Sequence, residues 1–187
     1  MVGYAVSHDE ERMAYKSKMF GNAVAGYSIK TSPVYVPRVA MAYGFVLATP
    51  GPKMIWQFDE LAYDYSINTC EDGVTVQEGC RLSNKPVRWD YWTADANRRK
   101  TYYKIAAINH LKATQLGVAK PTTYFFNSGG FFKKLNLNHV DLNTVVIGNF
   151  DASSSSSSTR ARRPAPTPRA TGRRSPSSRP WPIRIES

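Results

Sequence analysis

Close to the amino end, Ser7-His8-Asp9-Glu10-Glu11-Arg12 sets an imidazole beside a carboxylate, with further acids at hand. Such a pair can bind hydroxyl groups and oppose positive charge developing on a substrate. The same residues satisfy Ser-x-x-Glu, the capping box that opens a helix and needs no active site. A second acidic pair, Asp59-Glu60, ends the apolar run Lys53-Met54-Ile55-Trp56-Gln57-Phe58. Acids in that position either meet a substrate or cap the next helix. Trp56, Trp89, Tyr91 and Trp92 offer flat apolar ring faces against which a ligand could pack. Trp56 lies inside the apolar run and reads as core, whereas Trp89 and Trp92 fall in a polar connection. Cys70 and Cys80 are the only cysteines, and neither a His nor a second Cys pair stands at zinc-ligand spacing beside them. They either close a ten-residue loop or remain two thiols. His110 and His139 read as ordinary helix-face and turn histidines, outside any metal-ligand spacing.

The elements that must position these groups follow from the hydrophobic pattern. Val2 to Val6 is short and apolar, and the polar cluster after it marks a strand giving way to a loop or helix. Val36, Val39, Ala40, Tyr43 and Val46 or Leu47 recur at helical spacing, and Pro50-Gly51-Pro52 stops the helix. Lys53 to Phe58 then fits a buried parallel strand. Strand, helix and strand make a βαβ unit, with Asp9 and Glu60 in the loops that follow the two strands. Residues 62–96 carry turn signals at Asn68, Asp72-Gly73, Gly79, Asn84 and Pro86 and read as one long loop, a length uncommon without a function. Asn97 to Gln115 predicts a second helix, with Tyr102, Ile105, Ala106, Ile108, Asn109 and Leu111-Lys112 along its stripe. After Pro121, short β-rich runs between Asn, Ser, Gly and Asp turns predict antiparallel strands of a different small domain.

Composition changes abruptly near residue 152. Of the net charge of +11, a share of +7 comes from eight Arg and one Glu in residues 152–187, so the body is only mildly basic. Six consecutive serines, Ser153 to Ser158, open that tail, and Arg, Pro, Ser and Thr fill the rest. Too little apolar surface is present to offset the entropy of ordering, so residues 152–187 are expected to be disordered. An Arg-rich tail can hold nucleic acid through counterion release, but only Trp181 interleaves with it, and no specific nucleic-acid partner is expected. The longest apolar run, Val39 to Ala48, is too short for a membrane span. The amino end lacks the basic and apolar regions of a signal peptide and reads as a strand already under way.

Four segments, in this order, resemble the α-amylase family of glycoside hydrolases. Tyr4-Ala5-Val6-Ser7-His8-Asp9-Glu10-Glu11-Arg12 resembles the His-Asp motif that ends the seventh barrel strand. Pro50 to Leu61 resembles the eighth strand and the loop after it. Lys85 to Tyr91 is similar to the segment before the last barrel helix, and Val145 to Asp151 to a strand of the β-sandwich that follows the barrel. The resemblance implies an α/β fold, the C-terminal part of a (β/α)8 TIM barrel, over residues 1–118. The start of an antiparallel β-sandwich would then occupy 119–151, before the tail at 152–187.

By the same resemblance Asp9 is the catalytic carboxylate that stabilises the transition state, and His8 binds hydroxyls of the sugar. Glu60 and Trp89 are supporting candidates for substrate contact. The implied partner is an α-glucan or maltooligosaccharide, cleaved at α-1,4 bonds with retention. That reaction also needs a carboxylate nucleophile and a general acid/base about 5 to 5.5 Å apart. No segment here matches the Arg-x-Asp nucleophile motif on a barrel strand, and none matches the Glu motif, so the chain alone is expected to be inactive, with unpaired strand edges. No metal or cofactor is expected in this chain, and calcium is left to full-length relatives. Asp59 and Ala62 depart from the family, which carries Gly or small residues there. A non-catalytic carbohydrate-binding role is the alternative, and an Arg-rich nucleic-acid-binding protein a weaker one.

Overall fold

The structure is a computed structural model; it describes residues 2–115, 120–127, 129–140 and 143–150, and the backbone of Ser156–Arg162. The chain runs β1 (Gly3–Tyr4), α1 (Met13–Phe20), β2 (Ala23–Val24), β3 (Tyr27–Ser28), α2 (Ser32–Ala48) and β4 (Lys53–Met54). It continues through α3 (Asp90–Ala94) and α4 (Ala96–Thr114) to β5 (Thr123–Asn127), β6 (Phe132–Asn138), β7 (Asn143–Asn149) and β8 (Ser156–Arg162). Three sheets result: parallel β1–β4, the antiparallel hairpin β2–β3, and an antiparallel meander in the order β5-β6-β7-β8.

β1 and β4 pair in parallel with Gly3 opposite Lys53 and Tyr4 opposite Met54, and α2 lies in the connection between them. This is the βαβ unit that the hydrophobic pattern predicts, with shorter strands. From Trp56 the chain already turns, since the Asp59 amide donates to the Trp56 carbonyl at 2.9 Å and Phe58 takes a left-handed φ of 56°. The expected strand to Phe58 therefore stops at Met54.

Helix α2 starts with Pro at its first turn, where no amide hydrogen bond is lost. Val36, Val39, Ala40, Tyr43 and Leu47 form the predicted stripe and, joined by Tyr35, pack on Ile105 and Ile108 of α4. A second face, Phe45 and Ala48, packs on Leu135, Leu137 and Val146 of the meander. The β7 backbone comes so close to this face that a Cβ on Gly148 would lie 2.7 Å from the Phe45 ring. No helix among the described residues is long and apolar enough to cross a membrane.

The inward side of α4 is not the expected apolar stripe. Arg98, Thr101, Ile105 and Ile108 are buried, while Tyr102 packs edge-on against Trp92 near the surface. Polar residues can occupy this face because they bond to backbone: Thr101 Oγ1 donates to the Val36 carbonyl at 3.2 Å and Arg98 Nη1 to the carbonyls of Leu61 and Ala62. The Asp95 carboxylate accepts from the amides of Asn97 and Arg98 and so caps the helix.

The connection over residues 62–96 is more ordered than a loop. Cys70 and Cys80 form a disulfide, so the loop-closing alternative is the one adopted, and Thr69 and Val76 bridge within it. The short helix α3 was not apparent from the turn signals. Arg88, bonded through Nε and Nη2 to the Asp90 carboxylate, fixes the start of α3.

Asp64 holds these parts together. It is 8% exposed; it accepts from Tyr35 on α2 at 2.7 Å, Tyr91 on α3 and Lys18 on α1 at 3.3 Å, and forms an ion pair with Arg98 on α4 at 3.3 Å. Burial alone would push its pKa up, but the Tyr91 hydrogen bond, the Arg98 charge and the Tyr35 hydrogen bond together hold it below the usual range. Within the tail predicted to be disordered, Ser156–Arg162 pairs antiparallel with β7, a ladder made by backbone alone; the remainder of 152–187 lies outside the described residues.

Removing the acceptor at Asp64 would leave the buried Arg98 cation with only the partly exposed Asp95 carboxylate as its anion. Asp64→Ala is expected to lower stability by about 3–5 kcal/mol, the usual cost of breaking a buried pair from one side. Urea unfolding of the variant at pH 7 checks this, and a loss below about 1 kcal/mol would contradict the role given to Asp64.

Candidate functional site

β1 delivers the chain through buried Val6 into a turn that closes on itself. The Ser7 amide and hydroxyl both donate to the Glu10 carboxylate, and Ser7 Oγ accepts from the Asp9 amide at 3.1 Å. The Ser-Glu pairing of a capping box is thus present, but α1 begins only at Met13, so it closes a turn and caps no helix. Hydrogen bonding to Ser7 is the largest influence on Glu10 and holds its carboxyl below the usual range.

With Ser7 and Glu10 tied together, His8 and Asp9 are left at the surface. Their side chains are 67% and 71% exposed, and His8 Nε2 lies 3.3 Å from Asp9 Oδ2. The His8 ring rests at a tilt on Trp56, centroid to centroid 5.6 Å. Trp56 is therefore only half-buried and stands beside the His-Asp pair, where the sequence reading makes it core. Imidazole, carboxylate and indole converge in the segments that follow β1 and β4, at the C-terminal end of the parallel pair.

The long connection fastens this turn from the side. Glu11 accepts from Ser66 Oγ at 2.5 Å and from the Ile67 amide at 2.9 Å. Arg81 Nη2 donates to the Asp9 carbonyl at 2.5 Å, immediately after the disulfide-bonded Cys80. Arg81, an isolated arginine, belongs to no pattern in the sequence, and Arg12, the last residue of the quoted motif, is given no role by the sequence reading.

Glu60 and Trp89 are not brought into the cluster. Among the described residues they make no hydrogen bond, ion pair or ring contact with His8 or Asp9. Trp89 is 68% exposed and stands edge-on to Phe58 at 4.9 Å. Glu60 is half-buried, and burial raises its pKa. Nor do the described residues contain a group of three or more His, Cys, Asp or Glu able to hold a metal ion.

Asp59 is the unexpected acid. It is fully buried, and Tyr43 of α2 donates to its Oδ2 at 2.5 Å. Burial pushes its pKa up to about 6, against the opposing influence of the Tyr43 hydrogen bond and the Arg12 charge. Its Oδ1 and the neighbouring Arg12 Nε and Trp56 Nε1 are buried with no hydrogen-bond partner among the described residues. Ala62, three residues on, takes a left-handed φ of 57°, the conformation for which glycine is suited. The two departures from the family pattern thus fall in one tight 3-10 turn, Asp59–Leu61 and its exit.

No family model matches the sequence, and no curated protein does. A solved structure of the trehalose-6-phosphate hydrolase of Bacillus licheniformis matches with a TM-score of 0.55 at 13% identity, over 80% of this chain and 34% of the enzyme. What is shared is the fold. The likeness supports a distant α-amylase-family-like fold, and the chain spans about a third of the length of the enzyme it matches.

The raised pKa of Asp59 has a definite sign in stability. The folded protein holds this proton to pH about 6, whereas an ordinary Asp releases it near 3.8. Stability therefore falls as pH rises from about 4 to about 6, by at most about 3 kcal/mol from this group. Asp59→Asn, which stays neutral and can still accept from Tyr43, should lose that fall and exceed the parent in stability at pH 7 but not at pH 4. An equal offset at both pH values in urea titrations would contradict it.

Proposed function

We propose that this chain carries one side of the sugar site of an α-amylase-type glycoside hydrolase. Two exposed groups and one half-buried ring support the reading, and their convergence is its main observation. Asp9, His8 and Trp56 meet just beyond two parallel strands joined through a helix. In this reading β1 and β4 are the seventh and eighth strands of a (β/α)8 barrel, whose active site lies at that end of the strands. Residues 1–118 belong to the barrel, the β5–β7 meander begins the following sandwich domain, and residues 152–187 form a tail.

The chemistry explains the residue types. Cleavage of an α-1,4-glucosidic bond with retention passes through a transition state with positive charge on the sugar ring. A fixed carboxylate at Asp9 opposes that charge, and its exposure leaves it open to substrate. His8, 3.3 Å away, offers a hydrogen-bond donor to adjacent hydroxyls. The Trp56 ring gives an apolar face for the pyranose. Glu60 and Trp89 would serve at greater distance, as rim contacts with a longer α-glucan.

The nucleophile and general acid/base are assigned to segments outside residues 1–187: the one Arg-x-Asp here, Arg88-Trp89-Asp90, opens α3 and does not end a strand, and no segment matches the family's Glu motif. These residues alone should bind a maltooligosaccharide without cleaving it, which is also what a non-catalytic carbohydrate-binding role would require. Calorimetric titration of the 187-residue chain with maltoheptaose is expected to show saturable binding. Asp9→Ala and Trp56→Ala should each weaken it about tenfold, equivalent to about 1.4 kcal/mol. Unchanged affinity in both variants would sink the assignment of the site, and release of reducing sugar by the chain alone would overturn the placing of the nucleophile elsewhere.

A further inference from the structure

Arg12 is 2% exposed, and among the described residues no carboxylate stands within ion-pair distance of it. Burying a cation without a paired anion is costly, and an apolar side chain of similar size would fill the space more cheaply. Burial lowers the pKa of Arg12, with Asp59 and Glu11 acting in the other direction from further off. Stability alone therefore gives a poor account of the guanidinium.

Its contacts give a better one. Nη1 donates to the Ser7 carbonyl at 3.4 Å, the residue directly before His8. The planar group lies 5.8 Å from the centroid of Trp56 and 5.5 Å from that of Tyr63. Tyr63 is fully buried and is itself stacked on Phe58 and Tyr65, so it is a fixed backing. The Arg12 carbonyl accepts from Lys16 at 2.9 Å and so joins the turn to α1. One side chain thus touches the turn that presents His8 and Asp9 and the ring on which His8 rests.

We propose that Arg12 is a positioning residue of the sugar site: its guanidinium sets the Ser7–Asp9 turn and the Trp56 ring in register with each other. The proposal deepens the glycosidase reading and rests on it for the identity of the ligand, while the geometric role stands on contacts within the chain. A flat cation can face two aromatic rings and still donate in its own plane to a carbonyl. Lysine, a point charge on a flexible stem, cannot do both, so the conservative substitution separates charge from shape.

The test uses the full chain with Arg12→Lys and Arg12→Met. Two quantities are read: the nuclear Overhauser contact between the His8 imidazole and the Trp56 indole, and the affinity for maltoheptaose. In variants whose amide spectrum of the β5–β7 meander is unchanged, the contact should vanish and affinity should fall about tenfold or more. A folded variant that keeps the contact overturns the proposal, and so does one that loses it while binding as tightly as the parent. A parent chain that binds no maltoheptaose removes the glycosidase reading, and the imidazole–indole contact then judges Arg12 alone. Should both variants unfold, contacts from the Arg12 guanidinium protons to the Trp56 and Tyr63 rings in the unsubstituted chain decide, and their absence overturns the role.

Discussion

A single buried carboxylate organises the helical part of this molecule. Asp64 receives hydrogen bonds or ion pairs from α1, α2, α3 and α4, and no apolar contact links all four. Desolvating one anion and one guanidinium opposes folding, but the Tyr35 and Tyr91 hydroxyls and the Lys18 ammonium fill the remaining lone pairs. Arg98 is served in the same way, by the carbonyls of Leu61 and Ala62, the Asp95 carboxylate and the Tyr91 ring, 3.7 Å from its centre. A network satisfied at every member specifies one geometry, where a greasy contact would accept several.

The turn that presents His8 and Asp9 depends on that geometry at one remove. Ser66 and Ile67, two and three residues after Asp64, are the partners of Glu11, and Glu11 lies two residues after Asp9. Arg81 then reaches Asp9 from the far side of the Cys70–Cys80 disulfide. The connection between β4 and α3 is thus a frame for the His-Asp pair. Its length, uncommon for a bare loop, is accounted for by these contacts and by the Lys85 ammonium, which bonds to the carbonyls of Thr69 and Cys80.

What could be read from the residues alone divides along physical lines. Periodic burial leaves a trace at many positions, so α2, the parallel pair and the β5–β7 meander are legible; α4 is legible as a helix but not by the face it buries, and the His-Asp pair falls just beyond β1. Solitary polar burial leaves none. Asp64, Arg98 and Arg12 look like surface charges in sequence, and only the fold shows what they bond to. Trp56 was misplaced because an apolar run was read as strand to its end, whereas the backbone turns at Trp56 itself. The Ser7–Glu10 pairing was recognised, but a capping motif does not say whether a helix follows at once. Thiol or disulfide was undecidable from spacing, since ten residues suit either state. β8 was illegible because its ladder draws on backbone groups that every residue carries.

Helix α2 has partners on opposite sides. Tyr43 bonds to Asp59 in the turn after β4, and Phe45, two positions on, meets the meander at Gly148. From Ser32 to Ala48 only Pro33 is exposed to solvent. Such a segment has almost no neutral ground on which substitutions can accumulate. A change that suits the α4 side must also leave the meander side in place, so drift in α2 requires matched change in elements more than fifty residues away. Across diverging copies of this chain, α2 should therefore change slowest and in concert with β7, whatever becomes of the His8–Asp9 turn.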